Sequence, residues 1–291
     1  MSFDVNTEQD LHDLDLDLDF DQQFVFRFDA LEGPGDGQRW STWLDVERGS
    51  RGPDPRPDWV VTEQAAIDTE LGVLKTGKEA DVFLLERAVP DGRGVLMAAK
   101  RYRSEEHRTF HRSASYTEGR RTRNSRDTRA LAKKTAFGRV VAAGQWAMSE
   151  WAAMCRLWSA GVPVPYPVQI DGTEILMEFI DDPDGDGAAP RLAQVRPRGA
   201  LLESYYDQLR DAMAELARAG LAHGDLSPYN VLAQGNRIVL IDLPQVVDLV
   251  GNPQGMDFLM RDCHNVCTWF TARGLDVDEH ALFAELLAQV F

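Results

Sequence analysis

Cysteine is scarce in this sequence: Cys155, Cys263 and Cys267 are the only three in 291 residues. They are too few, and odd in number, for a disulfide framework, which points to a reducing compartment and a fold held by its apolar core. A run of about 18 apolar residues is also missing, which excludes a membrane-spanning helix. The first residues are acidic where a signal peptide would be basic. A soluble cytoplasmic protein is therefore expected, with no membrane partner. Positive charge is in deficit, 31 Lys and Arg against 47 Asp and Glu for a net −16, which argues against general nucleic-acid affinity.

What is present is unevenly placed. Residues 1–36 hold eleven acids and one Arg, whereas 100–139 hold thirteen Lys and Arg and four acids. Leu and Asp alternate from Leu14 to Asp19, but a row of like charges repels itself, so residues 1–36 are expected to be largely disordered. Phe24–Phe28 is the stretch there with strand or docking character. The basic segment carries Arg101, Arg103, Arg108, Arg112, Arg120, Arg121, Arg123, Arg126 and Arg129. It suits an RNA or acidic partner, and equally a mobile charged loop, because only Tyr102, Phe110, Tyr116 and Phe137 offer stacking. His107 and His111 lie one helical turn apart without a third metal ligand.

With 44% hydrophobic residues and this length, one or two domains are expected. Residues 49–58 read as a Pro-rich linker, and Asp58 or Thr62 as the cap of a short helix from Val61 to Ile67. Leu71 to Leu85 reads as strand, glycine turn, strand, and Val95 to Lys100 as a third strand. The turn around Gly77, bordered by Thr76 and Lys78, can lay backbone N–H groups over phosphate oxygens. It is not a Walker sequence, since no Gly-Lys-Ser/Thr opens a helix. Lys100 ends a strand of small apolar residues, where a lysine facing phosphate and paired with a carboxylate is expected. Glu150 is the candidate carboxylate, on a helix whose Trp151, Met154 and Trp158 mark a buried face.

Gly161 to Val168 stops that helix, and a strand pair turning at Asp171-Gly172 follows. Its second strand, Glu174 to Ile180, runs into a turn-rich hinge at Asp181 to Gly187, and backbone groups at Glu178 and Ile180 can meet an adenine edge. An amphipathic helix through Leu202, Tyr206, Leu209, Met213 and Leu216 ends at Gly220. Then comes His223-Gly224-Asp225-Leu226-Ser227-Pro228-Tyr229-Asn230, a turn at Gln234-Gly235-Asn236, a strand Arg237 to Ile241, and Asp242. Two carboxylates and an amide oxygen converging there suit Mg²⁺ with bound phosphates and in-line phosphoryl transfer. Met256 to Phe270 and Asp278 to Val290 read as two more helices. Cys263, His264 and Cys267 share one of them and read as core packing.

The ordered set Lys100, Glu150, Asp225, Asn230 and Asp242 resembles the protein-kinase-like fold, and more specifically the RIO family of atypical kinases, nearest its Rio1 branch. The resemblance rests on Lys75-Thr76-Gly77-Lys78-Glu79-Ala80, Ala98-Ala99-Lys100-Arg101-Tyr102, Tyr116-Thr117-Glu118-Gly119-Arg120-Arg121, Gly161-Val162-Pro163-Val164-Pro165, the His223–Asn230 loop, Ile241-Asp242-Leu243-Pro244-Gln245 and Phe258-Leu259-Met260-Arg261-Asp262. It spans roughly residues 68–275, and no winged-helix pattern is evident in residues 1–67, which disfavours the Rio2 branch. It implies an α+β bilobal fold: an acidic tail and linker in 1–58, an N-lobe of antiparallel sheet and Glu-bearing helix in 59–180 with a flexible basic loop at 101–138, and a mainly helical C-lobe in 181–291.

The resemblance implies ATP with Mg²⁺, or Mn²⁺ in its place. Thr76, Gly77, Lys78, Glu79 and Ala80 would cover the phosphates, and Glu178 and Ile180 would line the adenine. Lys100 would hold the α/β-phosphates and pair with Glu150; Asp225 would be catalytic base or orienter; Asn230 and Asp242 would bind the metal. The activity implied is that of a serine/threonine protein kinase or an ATPase working through a phosphorylated Asp242, with a protein substrate or small ribosomal subunit precursor as partner. The alternatives are a small-molecule phosphotransferase of the aminoglycoside or choline kinase type, whose loops also read His-Gly-Asp, and a nucleotide-dependent binding switch. The chain departs from the pattern at Gly224 and Pro228, where Rio1 relatives commonly have Ala and Glu. It lacks a full Gly-x-Gly-x-x-Gly, and Asp242 is followed by Leu-Pro. The span from Asp242 to Phe258 is too short for a long activation segment.

Overall fold

The computed structural model describes residues 34–90, 92–103, 136–185 and 187–290. The Leu-Asp alternation, Phe24–Phe28, His107, His111 and most of the basic segment lie outside these described residues. Six strands form one sheet: β1 (Gln38–Trp40), β2 (Ile67–Thr76), β3 (Ala80–Ala88), β4 (Gly94–Tyr102), β5 (Pro167–Asp171) and β6 (Glu174–Glu178). Their order is β1-β2-β3-β4-β6-β5, antiparallel throughout.

Period-two alternation gives the sheet two apolar faces. On β4, Ala98 and Tyr102 look inward with Ile175 and Met177 of β6, and these pack with helix α1 (Ala136–Ser159) through Ala143, Ala147, Trp151, Met154 and Leu157. Met97 and Ala99 look outward, with Leu85, Tyr166, Val168 and Leu176. The same outer face carries a buried ion pair next to Leu85: Arg87 holds Asp68 through two bonds of 2.6 and 3.0 Å and Gln169 through one of 2.9 Å. Pairing and full hydrogen bonding are what allow such charges inside.

The outer face is covered by residues 43–60, of which those up to 58 were expected to be tail and linker. Trp43 and Val60 are buried against it, with Trp59 beside them, and Tyr166 donates its hydroxyl to Pro53 O at 3.0 Å. A Cβ on Gly52 would lie 2.0 Å from Pro167 O, so this segment runs directly on β5. The helix expected from Val61 to Ile67 does not form. Ala66 N–H closes a turn on Glu63 O at 3.1 Å and β2 starts at Ile67, because Val60 and Val61 are drawn onto the sheet as extended chain.

The second half is mainly helical: α2 (Ala200–Arg218), α3 (Gly255–Thr271) and α4 (Glu279–Val290), with the hairpin of β8 (Val231–Gln234) and β9 (Arg237–Leu240) and the short pair of β7 (Leu221–Ala222) and β10 (Val247–Asp248). Cys263 and Cys267 are core residues as expected, and burial pushes their thiols up to about 12 and about 11. One apolar core is continuous from Tyr102 and Ala147 to Leu226, Leu240 and Phe270, so both halves share it. No helix among the described residues is long and apolar enough to cross a membrane.

Candidate active site

Two of the five polar residues come from the sheet side. Lys100 stands on the inward face of β4, the face of Ala98 and Tyr102, and so points to α1 and the second half. Its Nζ donates to Glu150 Oε1 at 2.7 Å and to Asp242 Oδ1 at 2.9 Å. Burial works against the ammonium, but Glu150 and Asp242 outweigh it and raise its pKa above the ordinary lysine value. Glu150 is only 2% exposed, and both its oxygens are engaged. Oε1 also accepts the N–H of Leu243 at 3.2 Å, and Oε2 accepts the Tyr102 hydroxyl. Burial, and then the Glu150 charge, lift the Tyr102 phenol well above its ordinary range, so it stays a donor.

The other three come from one loop and one strand end. Gly224 has φ +83 and a Cβ there would lie 2.5 Å from Gln245 O, so the loop turns where a side chain does not fit. From below, the buried Asp262 of α3 accepts Gly224 N–H at 2.8 Å and Leu226 N–H at 2.9 Å. Arg261 donates to Gly224 O and Asn265 to Leu226 O. Burial raises the Asp262 pKa against the pull of His223 and the two loop amides. Asp225 is thus presented on a braced turn. Asn230 donates its Nδ2 to Asp225 O at 2.9 Å, and its backbone O accepts Ile241 N–H at 3.0 Å, which ties the loop to the residue before Asp242.

Asp242 is the one non-glycine residue with positive φ (69°) among the described residues, a conformation that aspartate tolerates and that re-aims its side chain. Lys100 holds its carboxyl down to about 2, against the effect of burial, and its side chain remains 37% exposed. Asp242 therefore offers an ionised carboxylate with Oδ2 outside the Lys100 bond, and Asn230 carries an amide oxygen on the side chain whose Nδ2 bonds Asp225 O. Hard oxygen donors of this kind fit Mg²⁺, which keeps water and phosphate ligands. Among the described residues no group of three or more His, Cys, Asp or Glu could hold a metal, so the rest of the shell would come from those ligands.

The phosphate-loop residues Thr76 to Ala80 close β2 onto β3 through Gly77 N–H and Ala80 O at 3.0 Å. A Cβ on Gly77 would lie 2.7 Å from Ala80 O. Thr76 and Lys78 are exposed. Glu79 is raised in pKa by burial and then by Asp242, which places it toward the same cluster. Glu178 and Ile180 stay out of the polar cluster. Glu178 N–H is bonded to Tyr166 O and its side chain to Tyr166 N–H. Ile180 packs with Ala189 and Val239, and its carbonyl accepts Ala189 N–H at 2.9 Å.

Four residues were not singled out for the site from sequence: Lys75, Tyr102, Arg191 and Asp262. Asp262 had a signal, a lone acid on the helix face of Phe258, Leu259, Cys263 and Val266. Tyr102 had one too, since it shares the face of Lys100 by strand alternation. Lys75 opens the phosphate-loop motif, but strand alternation does not report the bulge that turns its side chain inward; Arg191 had no signal, because only the tertiary fold brings it to Tyr229 O.

A RIO domain family model matches residues 88–282. The RIO-type serine/threonine-protein kinase Rio1 of Haloferax volcanii is 34% identical over 223 residues, 77% of this chain and 70% of that protein. The serine/threonine-protein kinase RIO1 of Chaetomium thermophilum is 29% identical and is matched over 70% of this chain, which spans only 40% of that longer protein. Among solved structures, the Rio2 kinase–ADP/Mg²⁺–phosphoaspartate complex of Chaetomium thermophilum shares the fold at a TM-score of 0.55 and 22% identity, covering 76% of this chain and 62% of that one. The matched span carries Lys100, Glu150, Asp225, Asn230 and Asp242 in the geometry just described, and by that match the chain belongs to the RIO domain family.

Proposed function

We propose that this protein is an ATP- and Mg²⁺-dependent phosphotransferase of RIO type, a serine/threonine kinase or an ATPase. The observation that carries this is Lys100 bridging Glu150 and Asp242 beside the braced Asp225–Asn230 loop. Lys100 neutralises inner phosphate oxygens, Asp242 and Asn230 hold the metal, and Asp225 orients the acceptor and takes its proton. Mg²⁺ would supply charge neutralisation on the phosphates, and Mn²⁺ is proposed as a substitute. Between Asp242 and the start of α3 at Gly255 the chain makes only β10 and turns, so the usual kinase peptide-docking segment is short.

That brevity favours a small or intramolecular acceptor. In the Asp242 route a carboxylate oxygen attacks the γ-phosphorus, the bond to the β–γ bridging oxygen breaks, ADP leaves, and water later hydrolyses the acyl phosphate. The phosphoaspartate in the Rio2 neighbour supports this route. Protein substrate, a small ribosomal subunit precursor, cytoplasmic location and RNA contact through residues 100–139 are proposed from the family resemblance and the basic composition of that segment.

The test is incubation with γ-labelled ATP and Mg²⁺, following phosphate release, self-labelling and transfer to added protein. Asp225→Asn should lower turnover by about 10²–10⁴-fold, and Asp242→Asn should abolish it. Full turnover in both variants would refute the assignment. A label released by hydroxylamine marks Asp242 as acceptor, and a resistant one a Ser or Thr hydroxyl.

A further inference from the structure

Two cations near Asp242 and its neighbouring loop, Lys75 and Arg191, form no ion pair among the described residues. Their placement follows from register on one side and from loop packing on the other. Lys75 pairs with Val82 on β3, Val82 with Lys100 on β4, and Lys100 with Ile175 on β6. Residues directly opposite in antiparallel strands share a face, so Lys75 belongs to the row that carries Lys100 into the cleft. It gets there by a bulge. Gly72 and Val73 pair with Leu84 and Phe83, and the register then slips, so that Lys75 instead of Leu74 stands opposite Val82. A one-residue slip exchanges the faces of everything beyond it.

Arg191 approaches from the other half. Its backbone bridges Leu232, and the next turn binds the catalytic loop through Ala193 N–H to Pro228 O at 2.9 Å. Its guanidinium donates to Tyr229 O at 2.6 Å, one residue before Asn230. One edge of the planar group is fixed on the loop and the remaining N–H donors are left for another acceptor. The Lys75 pKa is drawn down by burial and then by the Arg191 charge, while Asp242 pulls it up, so these groups lie within electrostatic reach of one another. Like charges brought together across a cleft favour an anion between them, and a fixed guanidinium suits non-bridging phosphate oxygens.

We infer that Lys75 and Arg191 form a two-sided clamp for the terminal phosphate of the bound nucleotide, one cation from each half of the molecule. This rests on the proposed function. The terminal phosphate is the occupant because Lys100 is already committed deeper, at Glu150 and Asp242, whereas Arg191 sits on the loop of Asp225 where the transferred group meets its acceptor.

The experiment is titration calorimetry on the full chain with Mg²⁺ and either ADP or AMP-PNP, an ATP analogue that keeps the third phosphate. Lys75→Ala and Arg191→Ala should each weaken AMP-PNP by about tenfold and ADP by less than about twofold, with Arg191→Lys between wild type and Arg191→Ala. A residue that only braced the loop would weaken both nucleotides alike, and that result, or no change in either, overturns the clamp. Should Arg191→Ala fail to fold, Lys75→Ala decides alone, since the Lys75 side chain makes no hydrogen bond or ion pair among the described residues that its loss would break. Wild-type protein that binds neither nucleotide defeats the proposed function and the clamp with it; wild-type protein that binds both, with an unchanged ratio in the variants, defeats the clamp alone.

Discussion

At Glu150 a single carboxylate meets three parts of the chain: Lys100 and Tyr102 on β4, its own helix α1, and the Leu243 N–H that follows Asp242. That sharing fixes where Lys100 stands, and Lys100 in turn sets the charge of Asp242. The Asp242 carboxyl is held at about 2, below its ordinary 3.8. A depressed carboxylate contributes stability that is present above the unfolded value and lost as pH falls through the folded one. Between pH 3.8 and about 2 this pair should therefore give wild type a pH-dependent stability that Lys100→Met lacks. Urea midpoints measured across that window should fall more steeply in wild type than in the variant, and equal slopes would contradict the pairing. The Lys100–Glu150 pair was legible in the sequence, since a lysine ending an apolar strand needs a carboxylate and Glu150 borders the apolar face of the next helix. Tyr102 was legible in part: strand alternation puts it on the face of Lys100, but no local pattern reports that its hydroxyl reaches Glu150.

Elements were legible wherever pattern and turn chemistry agreed. The Asp171-Gly172 turn and the hairpin at Gly235 occur where glycine takes a positive φ, and the turn between β2 and β3 occurs where a Cβ on Gly77 would lie 2.7 Å from Ala80 O. The bulges in β2 were invisible, since alternation within one strand does not say which residue its neighbour skips, and so Lys75 was left out of the site. The departure at Gly224, where the family pattern has alanine, is one that this loop demands. Gly224→Ala would force a non-glycine residue into φ +83 with its Cβ 2.5 Å from Gln245 O and 2.9 Å from Val247 Cγ2. A loss of about 2–3 kcal/mol is expected, together with reduced turnover as Asp225 shifts. Gly220→Ala is the comparison: φ is +70 but nothing lies within 4 Å, so the loss should be about 1 kcal/mol with turnover retained. Denaturant midpoints and initial rates on the two variants separate backbone strain from loop displacement.

Across the whole molecule, the two halves share one inner core, while the outer face of the sheet depends on residues 38–61. Composition hid that dependence. Gly, Pro and Arg between positions 48 and 57 resemble a linker, and the pairing of β1 with β2 joins residues about thirty positions apart, which no local pattern reports. Trp43 is 5% exposed in that cover and packs with Met97 and Ala99, the two outward residues of β4 that flank the strand positions of Ala98 and Lys100. Trp43→Ala should cost about 3–5 kcal/mol as a large-to-small change in a buried cluster. Because the cavity would open on the back of the strand that bears Lys100, the loss should also reach the cleft. Nucleotide affinity should fall while the variant is still folded, and substrate-saturated rates should fall less, since Asp225 and Asn230 stand on the other half. If Trp43→Ala lowers the melting temperature with nucleotide affinity unchanged, the cover is only a structural lid. If both fall together, with affinity restored by repacking through Trp43→Phe, residues far from the phosphates belong to the machinery that positions Lys100.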